Sequence, residues 1–165
     1  MIKSLVALLT ITGLALFSAH AKTYQLPNDE FAIASINLPD DWDEEEVTNG
    51  VAGTSDDGAV YLSAVAVGNE KGMNAELDDT FEMLKDHNVD LDQNSKKENK
   101  FKINGIDAQE LLFQGTDEDG PTSVSITFVP IKDKMLVLTY WVNTSEEKKH
   151  EEEVGKIVSS LKPAA

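Results

Sequence analysis

The 165-residue sequence contains neither cysteine nor arginine, and each absence excludes a class of structure or function. Without cysteine no disulfide can form, so packing alone must maintain the fold. The same absence excludes the thioether-linked lipid of bacterial exported lipoproteins. Arginine is the preferred bidentate reader of guanine and a strong stacking partner for bases, so its absence argues against nucleic-acid binding.

Positive charge is also scarce, because 30 acidic residues stand against 14 lysines and the net charge is −16. A surface with this charge repels DNA, RNA and anionic lipid, and it favours solubility. We therefore expect any partner to be a basic or neutral protein, or a divalent cation. A solvated acidic coat without a ligand is the alternative interpretation.

Groups for nucleophilic catalysis are few. Beyond residue 21 the only histidines are His87 and His150, each near the end of a predicted helix, and Gly-x-Ser-x-Gly is absent. The phosphate-cradling patterns Gly-x-Gly-x-x-Gly and Walker A are also missing, and no His or Cys spacing predicts a transition-metal site. We therefore predict a protein that is not an enzyme and uses no cofactor. A hydrolase with a carboxylate pair is one alternative, and it requires two acids about 5–10 Å apart in a pocket.

Calcium or small-ligand binding is a second alternative, because two loops supply clustered oxygen ligands. These loops are Asp56-Asp57-Gly58 and Asp117-Glu118-Asp119-Gly120. Neither fits the calcium loop Asp-x-Asp-x-Asp-Gly with its distant Glu. Both sequences are typical of hairpin turns, and we predict turns there.

The N-terminal residues predict a signal peptide over residues 1–21. A lysine at position 3 precedes an apolar run from Leu5 to Phe17, and Ala19-His20-Ala21 supplies the small-x-small cleavage pattern. The apolar run is shorter than the roughly 20 residues that a membrane-spanning helix needs. We therefore expect export to the periplasm or the cell exterior, with one soluble domain over residues 22–165.

Apolar periodicity predicts two blocks, each with strands first and a helix last. The first block has strands at 31–38, 47–54 and 59–67, then a helix with Leu77, Phe81 and Leu84 as its apolar stripe. An acidic loop follows the first strand, and residues 90–99 are predicted to form a long, mobile connection because they show no period.

The second block is a four-stranded meander before a closing helix. Asn104-Gly105 predicts a type I′ hairpin, because both residues tolerate positive φ. Thr144 and Glu147 predict a capping box for the last helix, whose stripe contains Val154 and Leu161. The order βββα-ββββα gives an α+β fold in which helices cover an antiparallel sheet.

Three segments resemble the PsbP-like fold, a group that includes PsbP and DcrB-type exported proteins. They are FAIASINLPDDW at 31–42, in which Leu38-Pro39 precedes Trp42, FKINGIDAQELLFQG at 101–115, and MLVLTYWV at 135–142. The resemblance implies an α/β/α sandwich and an accessory or scaffold role without shared chemistry. The sequence departs from the group by lacking the lipid-bearing cysteine and the arginines and basic patches that some members present to partners.

The segment around Trp42 is the candidate for partner contact. Asp41, Trp42, Asp43 and Glu44 could anchor a basic protein, since the indole offers buried area and the acids steer its approach. The alternative is that Trp42 folds over the end of the core while the acids stay in water.

Overall fold

The computed structural model describes residues 21–68 and 70–164, with ten strands and two helices in that part of the chain. The predicted signal peptide lies outside the described residues, apart from Ala21. No helix within the described ranges is long and apolar enough to cross a membrane. The elements are β1 (Ala21–Leu26), β2 (Ala34–Pro39), β3 (Asp43–Val47), β4 (Gly50–Thr54), β5 (Val60–Val67), α1 (Glu70–Asp86), β6 (Asp90–Ile103), β7 (Ile106–Asp117), β8 (Gly120–Ile131), β9 (Lys134–Asn143), α2 (Glu147–Ser159) and β10 (Lys162–Pro163).

The strands form two antiparallel sheets. The larger sheet has seven strands in the order β3-β4-β5-β9-β8-β7-β6, and the smaller has the order β1-β2-β10. Within the larger sheet β3 and β6 are therefore the two edge strands, each paired on one side only. This architecture confirms the predicted α+β class, with helices that cover an antiparallel sheet.

Side-chain alternation along the central strands creates two cores, one on each face of the larger sheet. On one face, Leu136 and Leu138 pack with Ile36 of the small sheet and Ile157 of α2. On the other face, Val137 packs with residues of α1. We call these face A and face B. The larger sheet thus lies between α1 on one side and the small sheet with α2 on the other.

The predicted Asn104-Gly105 hairpin is confirmed. These residues have φ values of 50° and 85°, and they join β6 to β7 with Ile103 opposite Ile106. Positive φ at both central positions is the condition for a type I′ turn, and Asn and Gly adopt it at low cost. Local sequence alone therefore determines this register.

Two segments that the sequence analysis assigned to loops are strands, and those predictions were wrong. Residues 90–99, predicted to be a mobile connection, belong to β6, and part of the acidic loop after β2 forms β3. Both are edge strands with largely exposed side chains, so neither needs the apolar alternation on which strand prediction depends. The first predicted strand also begins later than expected, at Ala34, and leaves Phe31 64% exposed.

The predicted strand 47–54 is divided by a turn at Asn49, whose φ is 59°. Gly50 follows this turn and pairs with Val65 of β5. A Cβ atom at Gly50 would lie 2.1 Å from the carbonyl oxygen of Ala64, so only glycine permits this close approach of two backbones.

The N-terminus of α2 differs from the prediction. The capping box from Thr144 and Glu147 is wrong, because the N-cap of α2 is Glu146 and makes no side-chain cap hydrogen bond. Instead Asn143 Oδ1 accepts hydrogen bonds from the Ser145 amide at 3.1 Å and its hydroxyl at 2.8 Å. The side chain that stabilises the turn before the helix is therefore that of Asn143, one residue before the predicted cap Thr144.

Candidate functional site

Trp42 is part of the face A core. Its side chain is 4% exposed, and its ring lies where a Cβ atom on Gly53 would be 3.1 Å from Cε3. The indole therefore packs over β4 and the end of β2, as the alternative interpretation of this residue proposed. A role for Trp42 as an exposed anchor would require it to leave this core.

The acids beside Trp42 have different surroundings. Asp41 and Asp43 are exposed, whereas Glu44 is half-buried and accepts a hydrogen bond from Lys22 of β1 at 3.0 Å. From Asp43 onward these residues form the edge strand β3. Contact between this segment and a partner stays a prediction.

The structure brings together a polar cluster that the sequence did not predict. His150 of α2 places Nε2 3.0 Å from Asp57 Oδ2 in the β4–β5 turn, and its Nδ1 lies 3.4 Å from Glu153. Lys149 Nζ is 2.5 Å from the same Asp57 oxygen and 3.7 Å from Glu146. The predicted turn at Asp57 is confirmed, and it serves as the docking point for the first turns of α2.

Asp57 is held as an anion in this cluster. The Lys149 ammonium, followed by the Ser55 hydroxyl and the Ala59 amide, holds the pKa of the Asp57 carboxyl well below its usual range. Asp57 Oδ1 accepts from Ser55 at 2.7 Å and from the Ala59 amide at 3.2 Å. These local bonds orient the carboxylate toward α2.

Three members of this cluster could hold a cation. Ligand atoms of Asp57, Glu146 and His150 lie within 4.8 Å of one another, and no other such group occurs in the described part of the chain. Histidine nitrogen with carboxylate oxygen suits zinc better than calcium. Lys149 already places a positive charge among these atoms, so a metal ion would have to displace it.

In the second acidic loop, residues 117–120, the Asp117 carboxylate is occupied by hydrogen bonds within the protein. Asp117 Oδ1 accepts from the amides of Asp119 at 2.9 Å and Gly120 at 3.1 Å. Its Oδ2 accepts from Trp141 Nε1 at 3.1 Å. The prediction of a hairpin turn here is therefore confirmed. Both oxygens of the Asp117 carboxylate accept hydrogen bonds from protein groups.

His87 is distant from the His150 cluster and near different groups. Its Nδ1 lies 2.8 Å from the carbonyl oxygen of Met83, and its ring meets that of Trp141 edge to face at 5.8 Å. The expected interaction with the C-terminus of α1 is confirmed. No carboxylate among the described residues forms an ion pair with this imidazole.

A shallow groove of about 500 Å³ crosses face B near the end of the sheet. Phe128, Pro130 and Met135 line it together with Lys100 and Lys102 of β6; the remaining lining residues are Phe101, Asp107, Ala108 and Gln109. Asp107 is the one carboxylate in this lining, and it pairs with Lys102 at 2.5 Å. The groove therefore lacks the carboxylate pair that the hydrolase alternative requires.

The edge strand β6 concentrates positive charge. Between Lys96 and Lys102 it carries four lysines and one glutamate, in a chain whose acids outnumber its lysines by 16. The absence of basic patches expected from the sequence is therefore wrong for this edge. The sequence signal was the run KKENKFK. It indicates a basic surface only when the strand is known to lie at the edge of the sheet.

Comparison with known proteins supports the fold. No protein-family model and no curated protein sequence matches the chain. The solution structure of cyanobacterial PsbP (CyanoP) from Synechocystis sp. PCC 6803 is similar with a TM-score of 0.56 at 11% identity, over 94% of this chain and 99% of that one. A crystal structure from Bacteroides thetaiotaomicron VPI-5482 gives 0.56 at 15% identity over 88% of this chain, which spans only 49% of that protein.

Identities this low establish architecture and leave chemistry open. The match to the cyanobacterial structure extends over nearly the whole of both chains, so the likeness concerns the complete fold. The chain therefore has the PsbP-like fold, as the segments 31–42, 101–115 and 135–142 predicted.

Proposed function

We propose that the chain is an exported, non-enzymatic accessory domain that engages a basic or neutral protein partner through the acidic edge of its larger sheet. One observation supports this proposal: the segment that begins at Asp43 is an edge strand, not a loop. An edge strand presents unpaired backbone donors and acceptors, which a partner can satisfy by adding a strand.

The geometry of β3 assigns its side chains different tasks. Asp43 and Glu45 are exposed and free to steer a basic partner, whereas Glu44 is committed to Lys22. Trp42 contributes by packing beneath the start of the strand, which fixes the direction in which β3 leaves the core. Buried area at the interface would then come from the partner and the strand backbone.

Paired variants test this function. Asp43→Asn with Glu45→Gln removes two charges from β3, and Asp78→Asn with Asp79→Asn removes two from the exposed side of α1 as a matched control. Affinity purification from an envelope extract at low salt should recover a specific partner with the wild type and the control but not with the β3 variant. Equal recovery by all three, or no specific partner, contradicts the proposal.

Export is part of the proposal and has its own measurement. It rests on the charged start, apolar run and small-x-small pattern of residues 1–21. N-terminal sequencing of the protein from the extracytoplasmic fraction should begin at Lys22. A product that retains Met1 contradicts it.

A divalent-cation binding function is the second candidate, supported by the proximity of Asp57, Glu146 and His150. Calorimetric titration with Zn²⁺ and with Ca²⁺ tests it, using the wild type and Lys149→Met. Removing the competing ammonium should strengthen binding of Zn²⁺ if these residues are its ligands. Absence of heat and of a melting shift at millimolar metal in both proteins ends this candidate.

A further inference from the structure

We propose that β6, the opposite edge of the larger sheet, is a second docking site, and that it takes an extended protein segment in which acidic and apolar residues alternate. This inference goes beyond the proposed function, because it concerns a different edge and a partner of opposite charge. Four observations on β6 and its neighbours support it.

The first is that the outer side of β6 is unpaired. β6 pairs with β7 through residues 90–92 and 97–103, with a register shift between Asp92 and Lys97, and no described strand pairs with its other side. With 14 residues it is the longest strand among those described. Its regular stretch, residues 97–103, presents unpaired amides and carbonyls that are a template for strand addition by another chain.

The second is that the positive charge of β6 is available. No carboxylate of the described residues forms an ion pair with Lys97 or Lys100, whereas Lys96 pairs with Glu98 at 3.1 Å and Lys102 with Asp107 at 2.5 Å. Both pairs lie at the surface, where ion pairs contribute little to stability and exchange readily. An incoming carboxylate can therefore replace either of them.

The third is that charge and apolar surface alternate over residues 100–103 of the strand. Lys100 and Lys102 stand opposite Gln109 and Asp107, on the side of the face B groove. Between and after them, Phe101 and Ile103 belong to the face A core, where Phe101 is only half-buried.

An added strand must match this alternation residue by residue. Its side chains would contact lysines on one face and Phe101 on the other, since cross-strand neighbours share a face. Alternate residues of a strand lie about 6.7 Å apart, so carboxylates at positions i and i+2 reach Lys100 and Lys102 together. The partner segment should therefore carry Asp or Glu at every second position and apolar residues between them.

The fourth observation separates docking from simple protection of the edge. Charged residues on edge strands, lysines especially, commonly prevent unwanted pairing. This sheet protects its other edge, β3, with acids, in a chain where acids predominate. Acids protect one edge of this sheet, and the lysines on β6 add an attraction for acidic segments that acids would not give.

Charge reversal tests the proposal, because glutamate preserves protection while abolishing attraction for acids. The variants are Lys100→Glu with Lys102→Glu, and the matched control Lys71→Glu with Lys148→Glu in the first turns of the two helices. The probes are a peptide of alternating Glu and Val, a peptide of the same composition with all Glu before all Val, and a peptide of alternating Lys and Val.

The alternating acidic peptide should perturb the amide NMR signals of β6 in the wild type and bind at least about tenfold more tightly than the block peptide, a difference of about 1.4 kcal/mol. The β6 variant should lose this binding and gain binding to the Lys-Val peptide. The control and the Asp43→Asn/Glu45→Gln variant should bind as the wild type does, which separates this result from the function proposed for β3.

Three outcomes would overturn the proposal. Equal binding of the alternating and block peptides indicates unspecific attraction to charge. Perturbation confined to Phe128 and Met135 indicates a ligand in the groove instead of an added strand. A sedimentation mass that rises with concentration and returns to the monomer in the Asp43→Asn/Glu45→Gln variant indicates that β3 of a second copy occupies β6. If the double reversal does not fold, Lys100→Gln with Lys102→Gln must lose the acidic peptide.

Discussion

The Nε2 atom of His150 lies 3.0 Å from Asp57 Oδ2, across 93 residues of sequence. This contact joins the first turns of α2 to the β4–β5 turn, beside the point where α2 begins to cover face A. Lys149 reaches the same oxygen, so two consecutive helix residues converge on one carboxylate. The turn and the helix therefore stabilise each other's position.

Asp57→Asn should lower the free energy of unfolding at pH 7 by about 0.2–1 kcal/mol, the range for exposed ion pairs. The folded-state pKa of Asp57 lies below its unfolded value, so its contribution is present above about pH 4 and disappears as the pH falls through the folded pKa. Urea unfolding at pH 7 and pH 2.5 measures both effects. Asp56→Asn is the control, and an equal loss for both variants at pH 7 contradicts the prediction.

Glu76 should lower the free energy of unfolding as the pH rises. Burial, and then the nearby Asp79 charge, raise the pKa of Glu76 to about 7. The folded state therefore binds more protons than the unfolded state between about pH 4.3 and pH 7, and stability falls across that window.

Glu76→Gln should remove this pH dependence and stabilise the protein at pH 8 by at most about 1 kcal/mol after solvent screening, with no gain at pH 4. Thermal unfolding at the two pH values measures it. Glu82→Gln, on an exposed residue of the same helix, should change neither value, and a gain for Glu76→Gln that is equal at both pH values counts against the raised pKa.

Trp42→Ala should destabilise the fold by about 3–5 kcal/mol, because it leaves a cavity over β4 where the ring now packs. Asp41→Asn, one residue earlier and exposed, should change stability by less than about 0.5 kcal/mol. Urea unfolding followed by circular dichroism separates them. A small effect of Trp42→Ala would show that the ring is not part of the core in solution.

Tyr140→Phe should leave stability unchanged or raise it by up to about 1 kcal/mol. No described residue offers a hydrogen-bond partner to the buried Tyr140 hydroxyl, so removing the oxygen loses no protein contact. Burial, and then the charges of Glu147 and Glu151, also raise the pKa of this phenol above its ordinary value. Thermal unfolding is the measurement, and a loss above about 1 kcal/mol would reveal a partner for the hydroxyl, such as water.

The sequence predicts those parts of this fold in which local chemistry and burial agree. The apolar run of β5, the stripe of α1 and the Asn104-Gly105 turn each have one low-energy arrangement, and each was predicted. The edge strand β3 and residues 90–99 of β6 were missed because exposed side chains give no alternation. The His150 cluster was missed because neither histidine spacing nor turn residues indicate that residues 57 and 150 are in contact in the folded protein.

The sequence by itself determined the α+β class, the antiparallel hairpins and a disulfide-free core, since these follow from residue type and period. The tertiary structure alone decided which charged segments became the two edges of the sheet and which polar residues met. The physical reason is that strand order is fixed by the packing of distant apolar faces, and the position of each charge follows from that packing. Glu45 and Lys100 lie on opposite edges for this reason, although nothing in their local sequence indicates which edge each one takes.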